Sequence, residues 1–163
     1  MRERADTKLK GDIAEQSVVV QALKRGWGVL QPVGDRLPYD LVFDVGTRLV
    51  KIQVKSAWFD RSAENYVVDN RRTKTNRRNM IRAPYQSSDF DFAIAHIDTL
   101  DIFYIFPSDI FISYGSEIHL VEAEKRQRKP RSAAYRERWD LIQAESSFSK
   151  YEQPFDSCFD TSL

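Results

Sequence analysis

The sequence contains one cysteine, Cys158, and two histidines among its 163 residues. A single thiol can neither form an intrachain disulfide nor supply a cysteine-based zinc cluster. His96 and His119 lie far apart in strand-like runs, and no HxxxH spacing is present. The glycine-rich phosphate loop and the nucleophile elbow are absent as well. The sequence therefore gives no support to zinc-cluster proteins, P-loop enzymes or α/β-hydrolases.

Long hydrophobic runs are also missing. No stretch approaches the roughly 20 apolar residues of a membrane-spanning helix, and the N-terminal MRERADTKLKGD lacks the apolar core of a signal peptide. The chain still holds 42% hydrophobic and 12% aromatic residues, which is enough for one ordinary core. We therefore expect a single domain over residues 1–163, a cytoplasmic location and no membrane association.

One carboxylate lies on the apolar side of the first predicted helix. The stretch DTKLKGDIAEQSVVVQALKRGWG predicts a helix that begins at Asp6 or Thr7 and ends at Gly26. Glu15 has small or apolar neighbours at three- and four-residue spacings, namely Gly11, Val18, Val19 and Ala22. Two interpretations are open at this point. Glu15 either pairs with a lysine at the edge of the buried stripe or faces a functional site.

The next stretch predicts a β-hairpin, with strands at 40–45 and 48–56 joined by a glycine-containing turn. Apolar and polar residues alternate in VKIQVKSAW, so Gln53 and Lys55 share the polar face of the second strand. Asp40 opens the first strand two residues after a proline. It is either a turn residue or part of a functional site.

Taken together, these residues form a pattern suited to phosphodiester hydrolysis. The hairpin lays Gln53 and Lys55 beside the strand that Asp40 opens, and the helix supplies Glu15. Carboxylate and carbonyl oxygens bind hard divalent cations such as Mg²⁺, which polarise a phosphate and activate water. A lysine can orient that water or stabilise developing charge. The pattern predicts a metal-dependent site.

The remaining sequence predicts further strands and one late helix. The strands are YVV, DFAIAHI, DIFYIF and IHLVEA, and the helix is RSAAYRERWDLIQAESSF, residues 131–148. The predicted fold class is therefore α/β.

The helix and the hairpin together resemble a known family. GDIAEQSVVVQALKRGWGVLQP, followed by YDLVFDVGTRLVKIQVKSA, is similar to the PD-(D/E)XK nuclease superfamily. Within it the chain resembles the small homing endonuclease type encoded in a cyanobacterial group I intron. The resemblance covers roughly residues 8–60. It implies a restriction-endonuclease-like core, a mixed β-sheet flanked by helices.

The resemblance also implies roles for individual residues. Glu15, Asp40 and Gln53 match the metal-binding positions, and Lys55 matches the catalytic lysine. The implied cofactor is Mg²⁺, with Mn²⁺ as a substitute. Gln53 departs from the family pattern, which has Asp or Glu there, and its amide brings no charge to the metal. The resemblance to the homing endonuclease type implies glutamine at this position, which favours a working site.

Two basic segments indicate where DNA would be held. Residues 70–88 contain no Asp or Glu. We interpret this segment as a DNA-contact loop with Arg71, Arg72, Lys74, Arg77, Arg78 and Arg82. The second basic stretch, 125–138, offers Lys125, Arg126 and Arg128. The alternative interpretation of either segment is a solvated basic loop.

The function that these observations favour is site-specific, metal-dependent cleavage of double-stranded DNA by an intron-encoded homing endonuclease. A Holliday junction resolvase or a restriction endonuclease of the same fold would use the same site. A catalytically inactive DNA-binding module is a further alternative, and so is an interaction protein with no enzymatic role.

A homo-oligomer with an even number of subunits is expected, with a tetramer preferred to a dimer. One candidate site per chain has to serve two antiparallel strands, which two copies related by a two-fold axis achieve most simply. The tetramer is implied by the resemblance. Apolar surface for association is available in DIFYIF, in DIFIS and in an aromatic tail with Phe148, Tyr151, Phe155 and Phe159, and each of these segments could equally be ordinary core or disorder.

Overall fold

The computed structural model describes residues 6–75, 80–124 and 129–144, without the side chains at 73–75, 80 and 81. Helix α1, Thr7–Lys24, begins where Asp6 Oδ1 accepts hydrogen bonds from the backbone nitrogens of Lys8 and Leu9, both at 3.1 Å. It ends before Gly26, which adopts a φ of 75°. The predicted helix and both of its boundary signals are confirmed.

The strands within the described residues are short and follow α1 in chain order. They are β1 Gly28–Leu30, β2 Leu41–Asp44, β3 Leu49–Ser56, β4 Trp58–Asp60, β5 Asn65–Asp69, β6 Arg71–Thr75, β7 Met80–Pro84, β8 Phe92–Ile97, β9 Ile102–Pro107 and β10 Glu117–Leu120. The described residues also form two short helices, α2 Ser108–Ser113 and α3 Asp140–Gln143. In addition they form 3₁₀ turns at Asp98–Leu100 and Arg131–Tyr135. None of the described helices is long and apolar enough to cross a bilayer.

The central sheet has the strand order β1, β2, β3, β8, β9 and is mixed. Strand β3 pairs with β2 antiparallel and with β8 parallel. The predicted hairpin is confirmed, and Gly46 adopts a φ of 91° in its turn. Alternation along each strand divides the core between the two faces of the sheet. On β8, for example, Ile94 packs with α1, whereas Ala93 and Ala95 pack with Phe111 of α2.

This architecture confirms the predicted fold class, an α/β fold with a mixed sheet flanked by helices. A second sheet, in the order β10, β5, β4, lies beside it. The segment interpreted as a basic loop is instead largely a hairpin of β6 and β7, with Arg71 opposite Pro84 and Thr73 opposite Arg82. It follows β5 after a single residue, Asn70.

The prediction of one late helix over 131–148 is wrong for the described residues 131–144. The chain forms a 3₁₀ turn and then an extended segment in which Arg136 bridges Tyr104 of β9. Glu137 donates its N–H to the carbonyl of Phe103 at 2.8 Å, and its carboxylate accepts the N–H of Phe103 at 2.8 Å. These contacts cover the edge of β9 and outweigh the local helical preference, leaving only α3.

The apolar strands proposed as association surface are mostly core. In DIFYIF the side chains of Phe103, Tyr104, Ile105 and Phe106 are buried. DIFIS is not a strand but lies in α2, where Phe111 is buried. The aromatic tail lies outside the described residues. Apolar composition alone did not distinguish surface from core in these segments, because strands that are covered on both faces lose the alternation of apolar and polar residues.

Candidate active site

Strand pairing brings Asp40 and Gln53 together. Leu41 lies opposite Ile52, and the N–H of Asp40 donates to the carbonyl of Ile52 at 2.9 Å, which extends the β2–β3 ladder by one residue. Asp40 Oδ2 accepts hydrogen bonds from Gln53 Nε2 at 2.6 Å and from the Val54 N–H at 2.8 Å. The carboxylate is therefore held in a fixed orientation at the start of β2.

Burial has the largest influence on the pKa of Asp40 and raises it, because a charged carboxylate loses hydration there. The Val54 N–H and the positive charge of Lys55 act in the opposite direction on this pKa without cancelling the rise. Ionisation of the Asp40 carboxyl group is therefore less favourable than it would be in water. A positive partner would stabilise the negative charge.

Lys55 lies two residues beyond Gln53 on the same strand, as the alternation requires. Its Nζ donates to the carbonyl oxygen of Arg71 at 3.0 Å and lies 5.0 Å from the centre of the Tyr85 ring. Burial lowers the pKa of Lys55, and the negative charges of Asp69 and Asp40 oppose this lowering. The ammonium group is held close to the carboxylates without a direct ion pair to either among the described contacts.

Glu15 approaches the same region from α1. It lines a cleft of about 350 Å³ with Asp40, and the other lining residues are Gln31, Pro32, Gly34, Asp35, Leu37 and Tyr39. Burial, then repulsion from Asp40 and then from Asp12, raise the pKa of Glu15 to about 7. No ion pair with Glu15 is present among the described residues. The interpretation of Glu15 as one half of a surface salt bridge is therefore not supported.

The oxygen donors in this cleft fit a hard divalent cation. Among the described residues no three His, Cys, Asp or Glu side chains cluster as a metal site, and Glu15 and Asp40 are the two carboxylates that line this cleft together with Asp35. Glu15 and Asp40 lie close enough for their like charges to repel, and this repulsion adds to the rise in the pKa of Glu15. A cation between them would remove that repulsion. Gln53 turns its amide nitrogen towards Asp40, so ligation by its oxygen requires rotation of the amide.

The predicted DNA contacts fall into three groups. Arg71 and Arg82 form ion pairs with Asp69, at 3.0 and 3.3 Å. Arg72 Nη2 donates to the carbonyl of Arg36 at 2.9 Å, so its charge is not paired with a carboxylate there. The remaining predicted contacts lie outside what the structure describes: the side chain of Lys74, and all atoms of Arg77, Arg78, Lys125, Arg126 and Arg128.

Two residues near the site were missed in the sequence. Asp69 ends β5, and Tyr85 directly follows β7 and is only 6% exposed. Asp69 had a usable signal, because it is the acidic residue directly before a run with no acid of its own. Tyr85 had none, since its contact with Lys55 depends on how the β6–β7 hairpin folds back.

Comparisons with known proteins agree with this geometry. A family model described as PD-(D/E)XK endonuclease matches residues 5–142. The solved structure of the bacterial homing endonuclease I-Ssp6803I is 65% identical, with a TM-score of 0.80 and coverage of 85% of this chain and 94% of that one. The structure of MepB is 13% identical, with a TM-score of 0.42 and coverage of 79% of this chain and 94% of that one. A comparison with curated proteins gave no match.

The resemblance drawn from the helix and the hairpin is confirmed by these matches. The family model extends far beyond the helix and hairpin that carried the resemblance and takes in every strand of the described residues. The chain therefore belongs to the PD-(D/E)XK endonuclease family.

Proposed function

We propose that the protein is a site-specific, Mg²⁺-dependent endonuclease that cleaves double-stranded DNA as an intron-encoded homing endonuclease. The observation that carries this proposal is the convergence of Glu15 and Asp40 on one cleft, beside Gln53 and Lys55. The 65% identity to a homing endonuclease supports the homing role. A DNA substrate inside the cell supports a cytoplasmic site of action.

In this proposal Glu15, Asp40 and Gln53 hold the metal ion and Lys55 faces the reacting phosphate. When bound, Mg²⁺ supplies a Lewis acid and lowers the pKa of water. Asp40 is oriented for its role by the Val54 N–H, at 2.8 Å. Lys55 contributes a positive charge where negative charge develops on the phosphate, in surroundings that weaken its interaction with water. Mn²⁺ is expected to substitute for Mg²⁺ because both accept oxygen ligands.

The whole chain would act as one nuclease domain, with the catalytic core over residues 8–60 and DNA contacts at 70–88 and 125–138. The β6–β7 hairpin supports the first contact region, because it begins at Arg71, whose carbonyl contacts Lys55. A two-stranded ribbon has the dimensions to enter a major groove.

The test of this function is cleavage of a library of intron-free genomic fragments with Mg²⁺ or Mn²⁺ and with EDTA. We expect metal-dependent double-strand breaks at a defined sequence, which the recovered ends identify. Preferential cutting of a four-way junction would favour the junction resolvase, and salt-sensitive binding with no cutting under either metal would favour an inactive DNA-binding module. Binding and cutting that are both absent would overturn the proposal.

Replacing Arg72, Arg77 and Arg78 together by glutamine should weaken DNA binding and its salt dependence. Each lost phosphate contact lowers the slope of log K against log salt by roughly 0.9. We therefore expect a loss of roughly three units for the triple variant, measured by titration in EDTA at several salt concentrations. Arg61→Gln, an exposed change outside the β6–β7 hairpin, is the matched control. An unchanged slope in the triple variant would place the DNA elsewhere.

An even-numbered homo-oligomer is the proposed working form. Each chain contributes one candidate site, whereas a double-strand break needs two, and a second pair of chains would lengthen the DNA footprint. Light scattering of the free protein and of its DNA complex should give two or four times the chain mass of 19.0 kDa, with four expected. A strict monomer that makes double-strand breaks at low concentration would contradict this prediction.

A further inference from the structure

The carboxylate of Asp69 contacts both strands at the base of the β6–β7 hairpin. Asp69 Oδ1 accepts the backbone N–H of Arg71 at 2.9 Å and its Nε–H at 3.0 Å. Asp69 Oδ2 lies 3.3 Å from Arg82 Nη1 on the opposite strand. Burial alone would raise the pKa of Asp69, but the bonds from Arg71 and the charges of both arginines lower it overall. One side chain thus connects both strands of the β6–β7 hairpin to the end of β5.

A separate contact fixes the same hairpin to the core. Asn70 is buried, and its Nδ2 donates to the carbonyls of Phe111 at 2.8 Å, Tyr114 at 2.7 Å and Gly115 at 3.1 Å. Its N–H donates to the carbonyl of Ser116 at 2.9 Å. These bonds satisfy carbonyls around the end of α2 and do not involve Asp69. The β6–β7 hairpin therefore keeps its attachment when the Asp69 side chain is removed.

The residue that Asp69 orients is the one that contacts the catalytic lysine. The Arg71 carbonyl accepts a hydrogen bond from Lys55 Nζ at 3.0 Å, and Lys55 Nζ lies 5.0 Å from the centre of the Tyr85 ring. An ammonium group has three protons, so this bond fixes one and directs the other two. Asp69 holds the backbone N–H and the side chain of Arg71, and the carbonyl that accepts from Lys55 lies on the far side of the same Cα, so the position of Arg71 sets the direction in which Lys55 presents its charge.

We propose that Asp69 is a positioning residue for cleavage: by accepting the backbone N–H and the Nε–H of Arg71 it holds that residue in place, and the Arg71 carbonyl in turn orients Lys55. The inference rests on the proposed endonuclease function. Asp69 also draws the positive charges of Arg71 and Arg82 away from a phosphate backbone. Its two effects on DNA therefore have opposite signs, since it assists cleavage and weakens binding.

Asp69→Ala and Asp69→Asn separate these effects. Alanine removes the acceptor, and a reacting group misplaced by about 1 Å can cost up to 100-fold, so we expect cleavage at saturating DNA to slow by roughly 10- to 100-fold. DNA affinity in EDTA should equal or exceed that of the wild type. Asparagine keeps an oxygen for Arg71, so its cleavage rate should stay within about threefold of the wild-type rate while its affinity also rises.

The experiment uses the full chain and the duplex recovered from the genomic library, with single-turnover rates, affinity in EDTA and melting temperature for each variant. Asp140→Ala is the matched control, because Asp140 also bonds an arginine two residues away, with Arg138 at 2.8 Å from both carboxylate oxygens. We expect the cleavage rate and the melting temperature of this control to match those of the wild type; its DNA affinity is not a control readout, because the change frees Arg138 in the second proposed DNA-contact stretch.

Each other outcome overturns the inference in a specific way. Wild-type cleavage by Asp69→Ala would show that Lys55 needs no such support. Loss of DNA binding or of cooperative melting in Asp69→Ala would assign Asp69 to the fold, and slow cleavage by Asp69→Asn would make its charge the cause. An inactive wild type would refute the endonuclease function itself, whereas an active wild type with unchanged variants would refute only the role of Asp69.

Discussion

Asp40→Asn is expected to abolish cleavage while leaving the protein folded and bound to DNA. The amide keeps an oxygen for the Val54 N–H but loses the charge that would hold the metal ion. We expect a loss of roughly 1,000-fold or more in the single-turnover rate with Mg²⁺, which corresponds to about 4 kcal/mol of transition-state stabilisation. DNA affinity in EDTA should not fall, since the change removes a negative charge.

The stability of two Asp40 variants gives an internal check. Asp40→Ala leaves the Val54 N–H without its acceptor, so it should lower the free energy of unfolding by about 1–3 kcal/mol, whereas Asp40→Asn should not. Asp44→Asn is the control, because Asp44 lies on β2 but is exposed and caps the turn at Gly46. Mg²⁺-dependent cutting by Asp40→Asn at the wild-type rate would remove the basis of the proposed site.

Glu15→Gln should also abolish cleavage, yet it should make the protein more stable above neutral pH. The pKa of Glu15 is raised from 4.5 to about 7, so the folded state binds more protons than the unfolded state between these values. The contribution of Glu15 to the free energy of unfolding is therefore fully present below pH 4.5 and is lost as the pH rises to about 7. Glutamine carries no charge and avoids that loss.

Melting temperatures in EDTA at pH 5 and pH 8 test this reversal. After allowance for partial exposure we expect Glu15→Gln to gain roughly 1–2 kcal/mol at pH 8, or about 2–6 °C, with little change at pH 5. Asp12→Asn, an exposed change one turn away on α1, should retain cleavage and melt nearly as the wild type does. Equal melting shifts at both pH values would show that the raised pKa of Glu15 does not limit stability.

The elements that could be predicted from the sequence have their signals close together in the chain. The start of α1 is set by the Asp6 side chain and its end by Gly26, each acting on residues within one turn. Register in the β2–β3 hairpin follows from alternation, because a slip of one residue would turn Val50 and Ile52 to the wrong face. The spacing of residues along the hairpin is therefore sufficient to place Asp40 beside the strand that carries the glutamine and the lysine.

The elements that could not be predicted depend on contacts between distant residues. Local composition favours a helix after Arg131, yet contacts with β9 hold Arg136 and Glu137 in extended or left-handed conformations. The link from Asp69 through Arg71 to Lys55 likewise connects strands of three sheets, and no spacing rule in the sequence encodes it. Composition predicted a DNA contact in the basic segment but gave no information on the acid, Asp69, that pairs with its arginines.

The glutamine at the proposed metal-binding position has a consequence for the protein before a metal ion binds. A carboxylate at position 53 would oppose Asp40 with like charge, whereas the Gln53 amide donates to Asp40 at 2.6 Å and turns that contact into an attraction. The cleft is thus closer to electrostatic balance than one built from three acids would be. If the proposed metal dependence holds, such a nuclease would fold and bind DNA without its ion, and the supply of divalent metal would control the cut rather than the stability of the protein.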